Sequence, residues 1–124
     1  MAVTVKDLLA AANAAVPKVM PEEAKALIAK GALVVDVRDG TEVANGKVKG
    51  AVHAQRGLLE FKADPEAPSH DPAFRKDRTV IVYCASGGRS ALAGKTLQDM
   101  GYTDVRNLGG FKGWVDAGGE VEKP

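Results

Sequence analysis

The feature that most constrains this chain is a short apolar run that leads into a glycine-rich loop and then into a helix. Val80-Ile81-Val82-Tyr83 is rich in β-branched and aromatic residues and favours a buried strand. Gly87 and Gly88 mark a tight loop, and a helical pattern occupies residues 90–100. Buried strands that pass through short loops into helices build parallel sheets covered by helices, so this run predicts an α/β fold.

The rest of the chain repeats this alternation of helix and strand. Further helices are predicted at residues 5–16, 21–30, 57–63 and 111–117, and further strands at residues 33–37, 50–54 and 105–108. Thr4 suits the N-cap of the first helix, Pro21 the first position of the second, and Gly31 its end. The pattern predicts a mostly parallel sheet, which binds ligands beyond the carboxyl ends of its strands.

Length and charge limit the functions open to the chain. Its 124 residues suit one domain, which we divide into a helical extension at residues 1–19, packed on a domain at residues 20–124. The formal net charge of +1 argues against nucleic acid as the main partner, because phosphate binding needs a concentrated basic face. No run of apolar residues approaches the roughly 18 that a membrane span requires. The alanine-rich start is also unlike a signal peptide, because a polar residue interrupts its apolar run. We therefore expect a cytoplasmic protein without a membrane partner.

The chain has one cysteine, Cys84, directly after the clearest strand. A lone cysteine cannot form an internal disulfide or a paired-cysteine metal site, so we expect no metal. The N-terminus of the following helix carries unpaired amides and a partial positive charge that stabilise a thiolate. The position therefore predicts a thiol whose pKa lies below the usual value of about 8.5.

The residues after the cysteine form the predicted binding loop, which consists of Ala85, Ser86, Gly87, Gly88, Arg89 and Ser90. The two glycines let the backbone curl with its amides facing inward, which makes an anion-binding nest. Arg89 supplies a permanent positive charge, and Ser90 is expected to cap the helix. The alternative is a small buried cysteine without chemistry, but such a residue does not need an anion cradle beside it.

This loop resembles the active-site loop of rhodanese-homology domains, and other landmarks agree in their order. They are Asp36 and Arg38 at the end of an early strand, Glu42 after them, Gly46-Lys47-Val48-Lys49-Gly50-Ala51, and Leu108-Gly109-Gly110-Phe111 followed by Trp114. The resemblance covers roughly residues 20–119. Each motif is weak alone, but four in the right order are specific.

The resemblance implies a three-layer α/β domain with a mostly parallel five-stranded sheet flanked by helices. It also implies a sulfurtransferase without a cofactor, in which Cys84 carries sulfur as a persulfide between a small donor and a cyanide, thiol or protein acceptor. The loop would hold the outer sulfur, and Arg89 would bind an anionic donor. Asp36, Arg38 and Glu42 would brace the region beneath, although their residue types equally allow solvated charge pairs. Few cations lie in the loop, which argues against thiosulfate as the physiological donor.

Two other readings stay open from the residues alone. The domain could act as a non-enzymatic sulfur carrier or regulatory binding module. It could also be a cysteine phosphatase or arsenate reductase, but those enzymes place five residues between cysteine and arginine, and here four lie between Cys84 and Arg89.

Five side chains outside these motifs receive weaker predictions. His53 is expected to be a hydrogen-bonded structural histidine. Leu58, Leu59 and Phe61 are expected either at the mouth of the pocket or in the core. Arg56 would add positive charge near the pocket.

Overall fold

A computed structural model describes residues 2–124 of the protein. Its α-helices are α1 (Val5–Ala15), α2 (Pro21–Ala29), α3 (Gly40–Val43), α4 (Leu59–Ala63), α5 (Gly88–Asp99) and α6 (Phe111–Asp116), with a 3₁₀ turn at Arg56–Leu58 before α4. Its strands are β1 (Leu33–Asp36), β2 (Lys47–Val48), β3 (Val52–His53), β4 (Val80–Cys84), β5 (Val105–Gly110) and β6 (Val121–Glu122). The alternation predicted from the sequence is confirmed; the short elements α3, β2 and β6 were missed because two to four residues carry too little periodicity to read.

The central sheet is parallel, with the strand order β3-β1-β4-β5. β2 and β6 pair separately as a small antiparallel ribbon. The α/β class with a parallel sheet and covering helices is therefore confirmed, but the sheet has four strands rather than the expected five. Beside β5 the described residues make a single further parallel bridge, from Lys18 to Asn107. That stretch cannot extend into a strand because Pro17 has no amide hydrogen and Pro21 already begins α2.

Strand β4 is buried along its whole length, and its side chains alternate between the two faces of the sheet. Val80, Val82 and Cys84 join the core cluster that contains Ala93 and Leu97 of α5. The residues between them, Ile81 and Tyr83, join the opposite cluster, which contains Ala24 of α2 and Trp114 of α6. Cys84 therefore leaves the sheet on the α5 side, while Tyr83 points to the other face.

The N-terminal helix packs on α5. Thr4 caps α1, as predicted, because its hydroxyl accepts the amide of Asp7. At the other end Val16 lies against Gly94, where an added Cβ would come within 2.9 Å of a Val16 methyl carbon. Only a residue without a side chain lets the two helices approach this closely. Among residues 2–124, no helix is long and apolar enough to cross a membrane.

Candidate active site

The loop after Cys84 turns its main chain toward the sulfur. Gly87 has φ +97°, a left-handed conformation that favours glycine, and its amide donates to Cys84 Sγ at 3.0 Å. Helix α5 begins at Gly88, immediately after this turn. The expectation that Ser90 caps the helix is wrong: Gly87 is the capping residue, and Ser90 lies within the first turn. Inward-facing amides at a helix N-terminus are the geometry that favours an anionic sulfur.

The Ser90 side chain is fully buried beside the sulfur. Its hydroxyl oxygen lies 3.4 Å from Cys84 Sγ and 2.7 Å from the side-chain oxygen of Asn107 on β5. No sequence pattern marks Asn107, since an asparagine before Leu-Gly-Gly is common in many kinds of protein segment. Parallel pairing of β4 and β5 brings it to the site.

Cys84 has no exposed surface. Burial alone raises the pKa of the Cys84 thiol, because a buried charge loses its hydration. Hydrogen bonds from the Ser90 hydroxyl and from the main-chain amides of Ser90, Gly87 and Ser86 act in the opposite direction. Together they outweigh burial and hold the pKa of Cys84 below its usual value, as the sequence predicted.

Arg89 does not offer a free positive charge to the site. Its guanidinium donates twice to the Glu42 carboxylate, at 2.8 and 3.0 Å, and Glu42 also accepts the main-chain amide of Asp39. This pairing lowers the pKa of Glu42 to about 2. A two-pronged ion pair of this kind fixes both groups, so the cation expected for an anionic donor is already neutralised.

Asp36 and Arg38 form a buried ion pair at the end of β1, so the alternative of a solvated pair is wrong. Arg38 donates to both oxygens of Asp36, at 2.8 Å for the shortest contact, and to the carbonyl of Gly46. The Tyr83 hydroxyl donates to Asp36 at 2.6 Å and accepts the amide of Val48 at 3.0 Å. The network ties β1, β2 and the residue before Cys84 together.

The weaker predictions have mixed outcomes. His53 is a structural histidine, since its Nε2 donates to the carbonyl of Arg38 at 2.7 Å. Leu59 is fully buried in the core, whereas Leu58 and Phe61 are about half exposed. Arg56 donates to Glu60 and Thr96, so its charge is held along α5 rather than at the loop.

The sequence model of the rhodanese-like domain family matches residues 20–117. This chain belongs to the rhodanese family. It is 38% identical over 101 residues to a thiosulfate sulfurtransferase GlpE of Pseudomonas fluorescens, covering 78% of this chain and 83% of that protein. The rhodanese resemblance and the rhodanese-type sulfurtransferase activity predicted from the sequence are confirmed, and the protein acts on a sulfur donor and an acceptor.

Solved structures agree with this rhodanese fold. A Rhodopseudomonas palustris protein of unknown function, described as a possible tyrosine phosphatase, is 41% identical and superposes with a TM-score of 0.88 over 98% of this chain and 96% of its own. The human single-domain sulfurtransferase TSTD1 is 26% identical, with a TM-score of 0.72 over 81% of this chain and 96% of its own.

The loop of this rhodanese is packed tightly against β5. An added Cβ at Gly110 would lie 2.5 Å from the carbonyl oxygen of Ala85, so only glycine fits there. We expect Gly110→Ala to push the loop away from the sulfur and to lower kcat/KM for sulfur transfer by about 100-fold, because small displacements of positioned groups are costly. The assay is thiocyanate formation from thiosulfate and cyanide.

Gly113→Ala is the matched control for that experiment. Gly113 lies in α6, and an added Cβ there would have no neighbour within 4 Å. We expect this variant to keep normal activity. Equal activity of the two variants would show that close packing of Gly110 on Ala85 does not hold the loop.

Proposed function

We propose that Cys84 is the nucleophile that carries a sulfane sulfur as a persulfide from a donor to a thiophilic acceptor. The observation that supports this most directly is the Gly87 amide, which points at Cys84 Sγ from 3.0 Å at the start of α5. A cysteine that only fills the core does not require a main-chain amide directed at its sulfur. Ala85, Ser86, Gly88 and Arg89 complete the loop, and Ser90 contacts the sulfur from the first turn of α5.

The first half-reaction is an attack of the Cys84 thiolate on the outer sulfur of the donor. A new S–S bond forms to Cys84 as the donor's own bond breaks, and the leaving group departs with the electron pair. With thiosulfate the leaving group is sulfite; with a persulfide it is a thiolate. The terminal sulfur of the Cys84 persulfide then holds the negative charge, and the loop amides stabilise it electrostatically.

The second half-reaction returns the enzyme to its starting state. The acceptor attacks the terminal sulfur, and Cys84 leaves as a thiolate, which the same amides stabilise. Cyanide becomes thiocyanate, and a thiol becomes a persulfide. No electrons are gained or lost overall, so this chemistry uses no cofactor, and it gives ping-pong kinetics.

The charges around the loop favour a persulfide over thiosulfate as donor. Arg89 is paired with Glu42, and Asp39 adds a further negative charge to the surroundings of Arg89. A thiosulfate dianion therefore meets main-chain dipoles and an Arg89 that is already paired, and among the described residues Lys18 is the one further cation that lines the pocket beside the loop. A persulfide, which carries less charge at its sulfur end, suits this site better.

Mass spectrometry of the intact protein tests the proposal directly. After treatment with a low-molecular-weight persulfide and removal of excess donor, we expect a gain of one sulfur atom, located on Cys84 by peptide mapping and lost on addition of cyanide. Transfer to cyanide at steady state separates an enzyme from a carrier that works only with a bound partner. A protein that gains no sulfur from any donor would overturn the proposal.

A phosphatase activity is the second candidate, because the Rhodopseudomonas palustris relative is described as a possible tyrosine phosphatase. A phosphatase loop needs an arginine free to bind the phosphate, whereas Arg89 is held by Glu42. The loop is also one residue shorter than the phosphatase pattern. We expect no hydrolysis of an aryl phosphate under conditions in which sulfur transfer is measurable.

The pH dependence of the thiol gives a further prediction. Since the pKa of Cys84 lies below its usual value, the thiolate forms at lower pH than in a free cysteine. We expect the alkylation rate with iodoacetamide to rise with pH and to level off below the pH at which free cysteine does. Cys84 is the sole cysteine, so the rate reports on one site. A midpoint at or above that of free cysteine would contradict the stabilised thiolate.

A further inference from the structure

We propose that Asn107 is a positioning residue that limits how readily Cys84 ionises, by competing with its sulfur for the hydroxyl hydrogen of Ser90. The inference rests on the proposed role of Cys84 as the nucleophile. It assigns a function to a buried residue within β5 that does not hydrogen-bond to the sulfur and does not lie in the loop.

The Ser90 hydroxyl has one hydrogen to donate and three possible acceptors within hydrogen-bond distance. Its oxygen lies 2.7 Å from Asn107 Oδ1, 3.2 Å from the carbonyl of Gly87 and 3.4 Å from Cys84 Sγ. A serine hydroxyl carries one hydrogen and two lone pairs. The shortest contact is the one to Asn107, so the hydrogen points there.

The orientation of the Asn107 amide is fixed by a second donor. The main-chain amide of Gly109 donates to the same oxygen at 2.9 Å. An amide nitrogen cannot accept a hydrogen bond from an N–H group, so oxygen must occupy this position. Ser90 consequently donates to Asn107 and presents a lone pair to the sulfur, where it accepts the hydrogen of the neutral thiol.

Ionisation of Cys84 reverses the direction of the hydrogen bond between Ser90 and the sulfur. A thiolate has no hydrogen to give, so Ser90 stabilises it only by turning its own hydrogen from Asn107 to the sulfur. Asn107 Oδ1 keeps the Gly109 amide throughout and is never left without a partner. The acceptor strength of Asn107 therefore opposes the turn, and it does so in a buried setting where hydrogen bonds are strong.

The N-terminal segment holds Asn107 in place. The amide of Asn107 donates to the carbonyl of Pro17 at 2.9 Å, and its own carbonyl accepts the amide of Val19 at 3.0 Å. Both partners precede residue 20, where the match to the family begins. The segment outside the common rhodanese domain thus fixes the residue that competes for the Ser90 hydrogen.

Most charged groups around Cys84 are held by partners that a change at position 107 does not touch. Arg89 is paired with Glu42, with Asp39 near Arg89, and Arg38 is paired with Asp36 at the end of β1. His53 bonds to the carbonyl of Arg38, and Lys18 is exposed beside β5. A shift in the Cys84 pKa on a neutral substitution of Asn107 therefore reports on Ser90.

The test compares Asn107→Ala in two backgrounds, with Ser90 present and with Ser90→Ala. With Ser90 present, we expect the pKa of Cys84 to fall by about one unit, equivalent to about tenfold more thiolate below the midpoint, because one neutral hydrogen bond is redirected to the sulfur. In the Ser90→Ala background we expect no shift. Thiolate absorbance in the ultraviolet gives the pKa, with the Cys84→Ser protein titrated as a blank to remove tyrosine.

A second substitution keeps the inference testable if Asn107→Ala fails to fold. Asn107→Asp preserves the shape and strengthens the acceptor, so we expect it to raise the Cys84 pKa, and to raise it less when Ser90 is replaced by alanine. Equal shifts in the two backgrounds, for whichever substitution folds, would overturn the inference. The titration does not depend on sulfur transfer. Failure of the proposed function is read instead from the absence of a persulfide in the wild-type protein.

Discussion

Cys84→Ser is expected to abolish sulfur transfer while leaving the fold unchanged. Serine has nearly the same shape as cysteine, but its hydroxyl stays neutral where the thiol ionises and forms no stable persulfide. Since the chain has no other cysteine, no residue can substitute. We expect kcat/KM for thiocyanate formation to fall by at least about 10,000-fold, as for other nucleophile replacements, and the intact mass to stay constant after donor treatment.

Ser86→Ala is the control within the same loop. The Ser86 residue is exposed, and the loop uses its main-chain amide rather than its hydroxyl. We expect this variant to keep activity within about a factor of a few, and both variants to unfold at the denaturant concentration of the wild type. Sulfur transfer that survives in Cys84→Ser would refute the assignment of the nucleophile.

Asp36→Ala is expected to destabilise the protein by about 3–5 kcal/mol, the range for breaking a buried ion pair. The substitution leaves the Arg38 guanidinium without its carboxylate in a place where its side chain is only 7% exposed. It also removes the acceptor of the Tyr83 hydroxyl. Urea unfolding followed by tryptophan fluorescence measures the loss through Trp114, which packs in the same core cluster as Tyr83.

Two further variants calibrate this loss. Tyr83→Phe keeps the ion pair but deletes a hydroxyl that donates to Asp36 and accepts the buried amide of Val48, so we expect a loss of about 1–3 kcal/mol. Glu23→Ala breaks an ion pair with Arg106 in which the glutamate is 57% exposed, and exposed pairs contribute at most about 1 kcal/mol. If Asp36→Ala cost no more than Glu23→Ala, the buried network would not stabilise the domain.

The sequence predicts the elements and the loop because their signals are local. Four β-branched and aromatic residues before Cys84 indicate β4, and two glycines before a helical pattern indicate the inward turn. The same reasoning misplaces the cap, because a serine near a helix start is common at that position. Here Gly87 has already closed the turn, so Ser90 is free to lie inside the first turn against the sulfur.

The interactions that modify this site are not local and could not be predicted. Arg89 and Glu42 lie 47 positions apart, and Asn107 lies 17 positions from Ser90. Parallel pairing brings β5 beside β4, and the fold carries α3 to the loop. The burial of Asp36 and Arg38 is likewise a property of the packed domain. The cytoplasmic location and the division at residue 19 remain predictions.

The complete burial of Cys84 protects the enzyme from oxidation of its sulfur. A thiolate that reacts readily with sulfur donors is ordinarily just as vulnerable to peroxide, which drives cysteine irreversibly to its sulfinic and sulfonic acids. Because the sulfur is fully buried, an oxidant reaches it only when the surrounding structure opens, as it must for a donor. Damage to the resting enzyme, and loss of its stored sulfur to reductants, are therefore slowed in proportion to how rarely the sulfur is accessible.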